Sequence, residues 1–280
     1  MHLRRAIAIF ALALTPAALF AAVGTFDKTL TVSGPATLSI GTGSGYIHIT
    51  PGPAGSVHII GHVHSSMGLF SSSPEESVRQ VTDNPPIVQS GNDIEVGQHT
   101  HYHNVSIDYI VTVPQGTSVD AGSGSGDLNI TNLNAPLKAS TGSGSIYANS
   151  LTGEISLGTG SGDIHAWMNN AHYVKAETGS GSIQLEGVSG GLYAETGSGD
   201  ITVSGHPGDG WKLETGSGSV TLNTGQSAYN LDASTGSGDV HSDPPLTTHG
   251  TLNHHHVTGE INGGGPIVKV ETGSGDIRIH

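Results

Sequence analysis

Apolar residues recur along this chain in two staggered sets that bracket a glycine-rich turn. After the turn, Leu128, Ile146, Ile164, Ile183, Ile201, Val220, Val240, Ile261 and Ile277 open one set, and Ile130, Ala148, Ala166, Leu185, Val203 and Leu222 follow two positions on. Before the turn, Leu137, Ile155, Val174, Leu192, Trp211 and Leu231 are followed two residues later by Ala139, Leu157, Ala176, Ala194, Leu213 and Ala233. Side chains two apart share one face of a strand. Each repeat therefore reads as two short strands with inward apolar positions, joined by a corner.

The corner is Thr-Gly-Ser-Gly. Copies begin at Thr42, Thr141, Thr159, Thr178, Thr196, Thr215, Thr235 and Thr272, with a serine variant at Ser123, and those from Thr141 to Thr235 lie 18 to 20 residues apart. A period of this size marks units that cannot bury their own apolar face and must stack on their neighbours. The expected fold is all-β, a single-stranded parallel β-helix (β-solenoid) with coils of 18–20 residues, plus one short helix and a hairpin insert near the N-terminus. The turn glycines serve positive φ or the close passage of another chain. Thr141 and its equivalents share the inward parity, so their hydroxyls are expected to bond corner backbone groups.

The residue after the turn alternates through Asp127, Ser145, Asp163, Ser182, Asp200, Ser219 and Asp239. Stacked strands sit about 4.8 Å apart, so adjacent aspartates would repel, and an intervening serine doubles their separation. The alternation favours the 18–20-residue unit over one twice as long.

Residues 1–22 read as a signal peptide, with Arg4 and Arg5 before the apolar run 6–14 and small residues at Ala21 and Ala22. Residues 23–280 are expected to form one domain: an irregular part at 23–116, regular repeats at 117–242, a worn repeat at 243–259 and closing repeats at 260–280. In the irregular part, Leu38, Ile40, Ile47 and Ile49 mark a first repeat. Ser73-Pro74-Glu75-Glu76 is a capping box that opens a helix over 74–82. A hairpin at 87–96 turns about Ser90-Gly91-Asn92-Asp93, and 105–113 is a long alternating strand. The last strand, 276–280, ends without a cap and offers an edge for end-to-end self-association.

Composition narrows the classes. The chain is 34% hydrophobic and 5% aromatic with 43 glycines, which suits only a narrow core. It has no cysteine, hence no disulfide framework and no thiolate metal site. Without Arg4 and Arg5, 7 basic residues face 23 acidic ones, a formal charge of −16. Nucleic acid is a poor partner for such a surface. No transmembrane segment is expected after signal cleavage, and the expected location is secreted, periplasmic or extracellular at the cell surface.

The Val-Thr-Val-Pro-Gln-Gly segment at 111–116, the repeated GSGDI and GSGSI strings and the helix-then-hairpin insert together resemble a family of bacterial secreted putative adhesins, a domain of unknown function similar to the head domain of some adhesins. The resemblance covers most of residues 30–280. It implies a single-stranded β-helix and transfers no catalytic residue.

Candidate chemistry is sparse. Among 17 histidines, His99, His101 and His103 stand on one side of an extended segment and are the candidate metal ligands, suited to Zn, Cu or Ni. His58, His62 and His64 alternate with Val57, Ile59 and Val63 and are expected to face solvent, and His254, His255 and His256 fall in the worn repeat. Glu177, Glu195 and Glu214 form an outward column that Lys175 and Lys212 can neutralise. The outward positions after the turn, Asn129, Tyr147, His165, Gln184, Thr202, Thr221 and His241, lack the threonine arrays that ice binding needs. No catalytic constellation and no cofactor motif stands out.

The expected function is a non-enzymatic secreted or envelope-associated β-solenoid, an adhesin or structural surface for a cell-surface, glycan or protein ligand. The rivals are a glycan-active parallel β-helix enzyme and a His-rich metal-binding envelope protein.

Overall fold

The computed structural model describes residues 22–66, 73–97, 104–248 and 254–280. The N-terminal part contains β1 (Ala22–Thr31), β2 (Thr37–Thr42), β3 (Ile47–Pro51), β4 (Ser56–Ser65), α1 (Pro74–Asp83), β5 (Ile87–Ser90), β6 (Asp93–Val96) and β7 (Val105–Val113). The repeats supply β8 (Ser118–Ser123), β9 (Leu128–Thr131), β10 (Leu137–Thr141), β11 (Ile146–Thr159), β12 (Ile164–Thr178), β13 (Ile183–Val188), β14 (Gly191–Ser198), β15 (Ile201–Gly205), β16 (Trp211–Ser217) and β17 (Val220–Asn223). The C-terminal part adds β18 (Tyr229–Thr235), β19 (Val240–Ser242), β20 (Leu246–Thr247), β21 (His256–Ile261), β22 (Ile267–Ser274) and β23 (Ile277–Ile279).

Neighbouring repeats pair in parallel at the offset that the sequence period predicts. Leu137 lies opposite Ile155, Ile155 opposite Val174, Val174 opposite Leu192 and Leu192 opposite Trp211. After the turn, Leu128, Ile146, Ile164, Ile183, Ile201 and Val220 align in the same way. Both apolar sets point inward and are buried, apart from the half-buried Val240.

The expected parallel β-solenoid is nevertheless corrected. The 23 strands among the described residues join a single sheet, and 14 strands turn through 337° round an axis to form a nearly closed barrel. A sequence period fixes the register between neighbours. It does not fix how far the sheet curls, nor what stands at its ends. There the chain abandons the repeat: β1, β4 and β7 pair antiparallel, and β21 runs antiparallel to both β18 and β20.

Strand order departs from chain order at the C-terminus. β22 lies between β16 and β18, and β23 between β17 and β19. The last strand is therefore paired on both sides, which removes it as the expected edge for end-to-end self-association. Ile261, expected in the apolar column after a turn, instead lies opposite Tyr229 in the antiparallel β18–β21 pair.

The corners behave as the motif predicts. Thr159 Oγ1 donates to the Gly144 carbonyl at 2.8 Å and accepts from Gly162 N–H at 3.1 Å; Thr178 does the same with Gly162 and Gly181. The glycines answer to close approach: a Cβ on Gly144 would lie 2.1 Å from the Gly126 carbonyl oxygen. The Asp/Ser alternation is also a bonding ladder. Ser145 N–H donates to Asp127 Oδ1 at 2.8 Å, Asp163 N–H to Ser145 Oγ at 3.2 Å and Ser182 N–H to Asp163 Oδ1 at 2.8 Å.

At the N-terminal end, Ser73 caps α1 by accepting Glu76 N–H at 3.2 Å. The helix buries Val78 and Val81 against β1 and β4. β5 and β6 form the expected hairpin, with Gly91 at φ 64° in its turn.

Candidate binding faces

With the inward residues committed to the core and the corners, the outward residues of the two parallel ladders are what the molecule offers to a partner. Period-two parity places them, and register lines them up across strands.

The face before the turns is charged and paired with itself. Glu177, Glu195, Glu214 and Glu271 stand in one row across β12, β14, β16 and β22. Beside them run Lys175, Tyr193, Lys212 and Lys269. Lys175 bridges Glu177 at 2.8 Å, Lys212 bridges Glu214 at 2.7 Å and Lys269 bridges Glu271 at 3.0 Å. Tyr193 donates its hydroxyl to Glu195, and its ring lies between the ammonium groups of Lys175 and Lys212, 5.9 and 5.4 Å from its centroid. The Glu195 hydrogen bond raises the Tyr193 pKa above its ordinary value, and burial adds to it. The Lys212 hydrogen bond lowers that of Glu214. Hydrogen bonds to Glu177 and Glu271 raise Lys175 and Lys269 respectively. In the column that the sequence singled out, Glu177 and Glu214 are thus neutralised by the lysines it named, while Glu195 is held by Tyr193.

The face after the turns is of another kind. Asn129, Tyr147, His165, Gln184, Thr202 and Thr221 form one row across β9 to β17, and Thr131, Asn149, Trp167, Glu186, Ser204 and Asn223 the next. Tyr147 and His165 stack with centroids 5.4 Å apart and planes 4° from parallel. Tyr147 is 41% exposed and Trp167 37%. Glu186 is the one formal charge in the two rows, and it accepts from Gln184 Nε2 at 3.0 Å. Sequence reading named Tyr147 and His165 as outward but missed Trp167, although its place three residues after the inward Ile164 assigns it to the same face.

A groove of about 700 Å³ follows the edge of this face, lined among others by Asn169, Ser204, His206 and Asn223. Another, of about 540 Å³, crosses the opposite face beside the Lys138–Asp120 bridge.

His99, His101 and His103 lie outside the described residues. The remaining expectations can be placed. His58 pairs with Asp27 at 2.7 Å, His64 with Asp108 at 3.1 Å and His256 with Asp232 at 2.9 Å, while His62 meets Thr25 at 3.2 Å. Asp243 accepts from both His280 and His241, at 2.7 and 3.0 Å. These pairs tie β1 to β4, β4 to β7, β18 to β21, and β23 to the segment after β19. Among the described residues, no group of three or more His, Cys, Asp or Glu is placed to hold a metal ion. The His-rich metal-binding reading is corrected for the described histidines, among which His58, His64, His256 and His280 serve as clips to aspartates on neighbouring segments. The glycan-active β-helix enzyme falls as well, because its β-helical frame is replaced by a barrel.

These features define an all-β barrel that displays ordered outward rows. The chain belongs to the Toastrack DUF4097 family, which matches residues 73–280. Two solved structures are similar over most of their length. A putative adhesin from Bacteroides fragilis is 13% identical, with a TM-score of 0.45, and the match covers 92% of this chain and 97% of that one. A putative cell adhesion protein from Clostridium sporogenes is 14% identical, with a TM-score of 0.28, covering 92% of this chain and 99% of that one. Both superpose too loosely to inform the site. No curated protein matches the chain. An extracellular or cell-envelope location accords with the family membership. Among the described residues no helix is long and apolar enough to cross a membrane.

Proposed function

We propose that this is a non-enzymatic, adhesin-like binding protein of the cell surface or exterior, with residues 1–22 as its leader and 23–280 as one binding domain. The observation that carries the reading is the division of labour among side chains. The repeat motif is consumed by the scaffold: Thr159 and Thr178 bond two glycines each, and the turn glycines pack carbonyl against Cα. What remains is a pair of extended faces whose side chains are held in register strand after strand. Rigid elements hold such rows with little ordering cost on binding.

The carboxylates support a binding role over a catalytic one, since Glu177, Glu214 and Glu271 are each committed to a lysine. The GSGDI and GSGSI strings supply the corners of this scaffold, and we read them as the feature this chain shares with adhesin-like relatives.

The test is retention of fluorescently labelled protein, residues 23–280, on bacterial envelope fragments. The expected result is saturable retention that unlabelled protein competes away. Retention that stays linear in protein concentration, or matches that of an unrelated acidic protein, would contradict the reading.

A further inference from the structure

We infer that the face after the turns is a binding site for a neutral polysaccharide, with Tyr147 and Trp167 as its stacking platform and the adjoining groove as its hydroxyl-binding edge. This rests on the binding-protein reading above and names the partner.

Charge is the first argument. The chain carries a formal charge of −14, yet no Asp, Glu, Lys or Arg lines the groove, and the two rows beside it hold only Glu186. Across β9 to β17 an acidic polymer would meet no lysine or arginine, and the next residue of the row, Arg278, is held by Asp276. A basic partner would find the single carboxylate of Glu186 here and a whole row of carboxylates on the other face, three of them held by lysines. The face is complementary to an uncharged ligand.

Ring chemistry is the second. The face of an aromatic ring carries the negative lobe of its quadrupole, which attracts the weakly positive C–H groups on the flat side of a sugar ring. His165 stacks against one side of Tyr147. The other side turns toward β9, where the register partner is the shorter Asn129, and Tyr147 remains 41% exposed. Stacking by His165 also fixes the ring before a ligand arrives, which lowers the ordering cost of binding. Trp167 lies two residues beyond His165 on the same strand and face, about 6.6 Å further along.

Hydrogen bonding is the third. Asn129, Asn149, Asn169, Ser204 and Asn223 surround the rings and continue into the groove. Amides donate and accept at once, which matches the mixed donor and acceptor character of sugar hydroxyls. A protein partner would call for a clustered apolar centre, whereas here the aromatic rings are dispersed among amides and hydroxyls.

The experiment is surface plasmon resonance of residues 23–280 over immobilised dextran, laminarin and galactomannan, with polygalacturonate as the acidic comparison. Binding to at least one neutral polymer is expected. It should be insensitive to raising NaCl from about 0.05 to about 0.5 M, because no ion pair forms across the contact. Trp167→Ala and Tyr147→Ala should each weaken it about tenfold or more, Trp167→Phe should recover most of the loss, and Lys212→Ala should leave it unchanged. Equal thermal midpoints for the variants show that folding is intact. Binding to polygalacturonate alone, to none of the neutral polymers, or undiminished in Trp167→Ala would overturn the inference. Retention on envelope fragments that survives both periodate oxidation and Trp167→Ala sinks this inference and spares the binding-protein reading. A failure of all envelope retention sinks both.

Discussion

Asp239 donates its backbone N–H to Asp276 Oδ1 at 3.1 Å, across 37 residues of chain. In space the corner column runs Asp200, Ser219, Asp276, Asp239, because the C-terminal strand pair lies between two earlier ones. The Asp/Ser alternation thus holds through Asp276 and breaks only at the last step, where two aspartates become neighbours. Arg278 answers that break with a bridge to Asp276 Oδ2 at 2.6 Å.

Arg278→Ala should therefore lower stability through like-charge repulsion between Asp276 and Asp239. Both members of the bridge are more than a third exposed, so the cost is held to about 1 kcal/mol or less. Chemical denaturation should show a smaller loss at high salt. It should also show a smaller loss in an Asp239→Ser background, which restores the alternation.

Two glycines separate close approach from mere composition. A Cβ at Gly144 would meet the Gly126 carbonyl oxygen at 2.1 Å, whereas at Gly158 nothing lies within 4 Å. Gly144→Ala is expected to cost about 3 kcal/mol or more, since backbone must move. Gly158→Ala is expected to be neutral or to stabilise by about 0.5 kcal/mol through a less flexible unfolded chain. Urea denaturation of the two variants checks the contrast.

These corners were the most legible part of the chain. The parity of Thr141, the offset of Ile146 to Ile164 and the capping box at Ser73 follow from local chemistry that any fold must satisfy. The order of the last strands was not legible for a physical reason: the corners at Thr235 and Thr272 are both Thr-Gly-Ser-Gly-Asp, and either can receive Ser219's neighbour position. Choosing between them depends on β21, which lies antiparallel on β18 and carries no repeat. Curvature was hidden too, because a period specifies pairing between neighbours and is silent on closure. On the faces, parity exposed Tyr147 and His165, while their ring stacking and the scarcity of charge in the two rows, with Glu186 beside Trp167 as the one carboxylate, became visible only once rows from different repeats stood side by side.

Deleting residues 262–280 should open the molecule at its centre of pairing. It removes β22 and β23, on which β18 and β19 depend for their parallel partners. Limited proteolysis is expected to cut first within 229–261, while 105–223 stays protected. Protection of 229–261 in the truncated chain would argue against the inserted strand order.

Asp243 supplies a pH dependence. Its pKa is lowered by hydrogen bonds from His280 and then His241. A depressed carboxylate adds stability that is present above its unfolded pKa and is lost as pH falls through the folded one. The thermal midpoint difference between the native protein and Asp243→Asn should therefore be full above the ordinary value of 3.8 and shrink below it. Added salt should reduce it at every pH, since the site is exposed.

If the uncharged face holds the partner and the charged face does not, one substitution on each face separates them: Trp167→Ala and Lys212→Ala, compared side by side for retention on the same envelope fragments. Trp167→Ala is expected to lose retention about tenfold or more while Lys212→Ala binds like the native protein. Loss in Lys212→Ala with Trp167→Ala unaffected would contradict it.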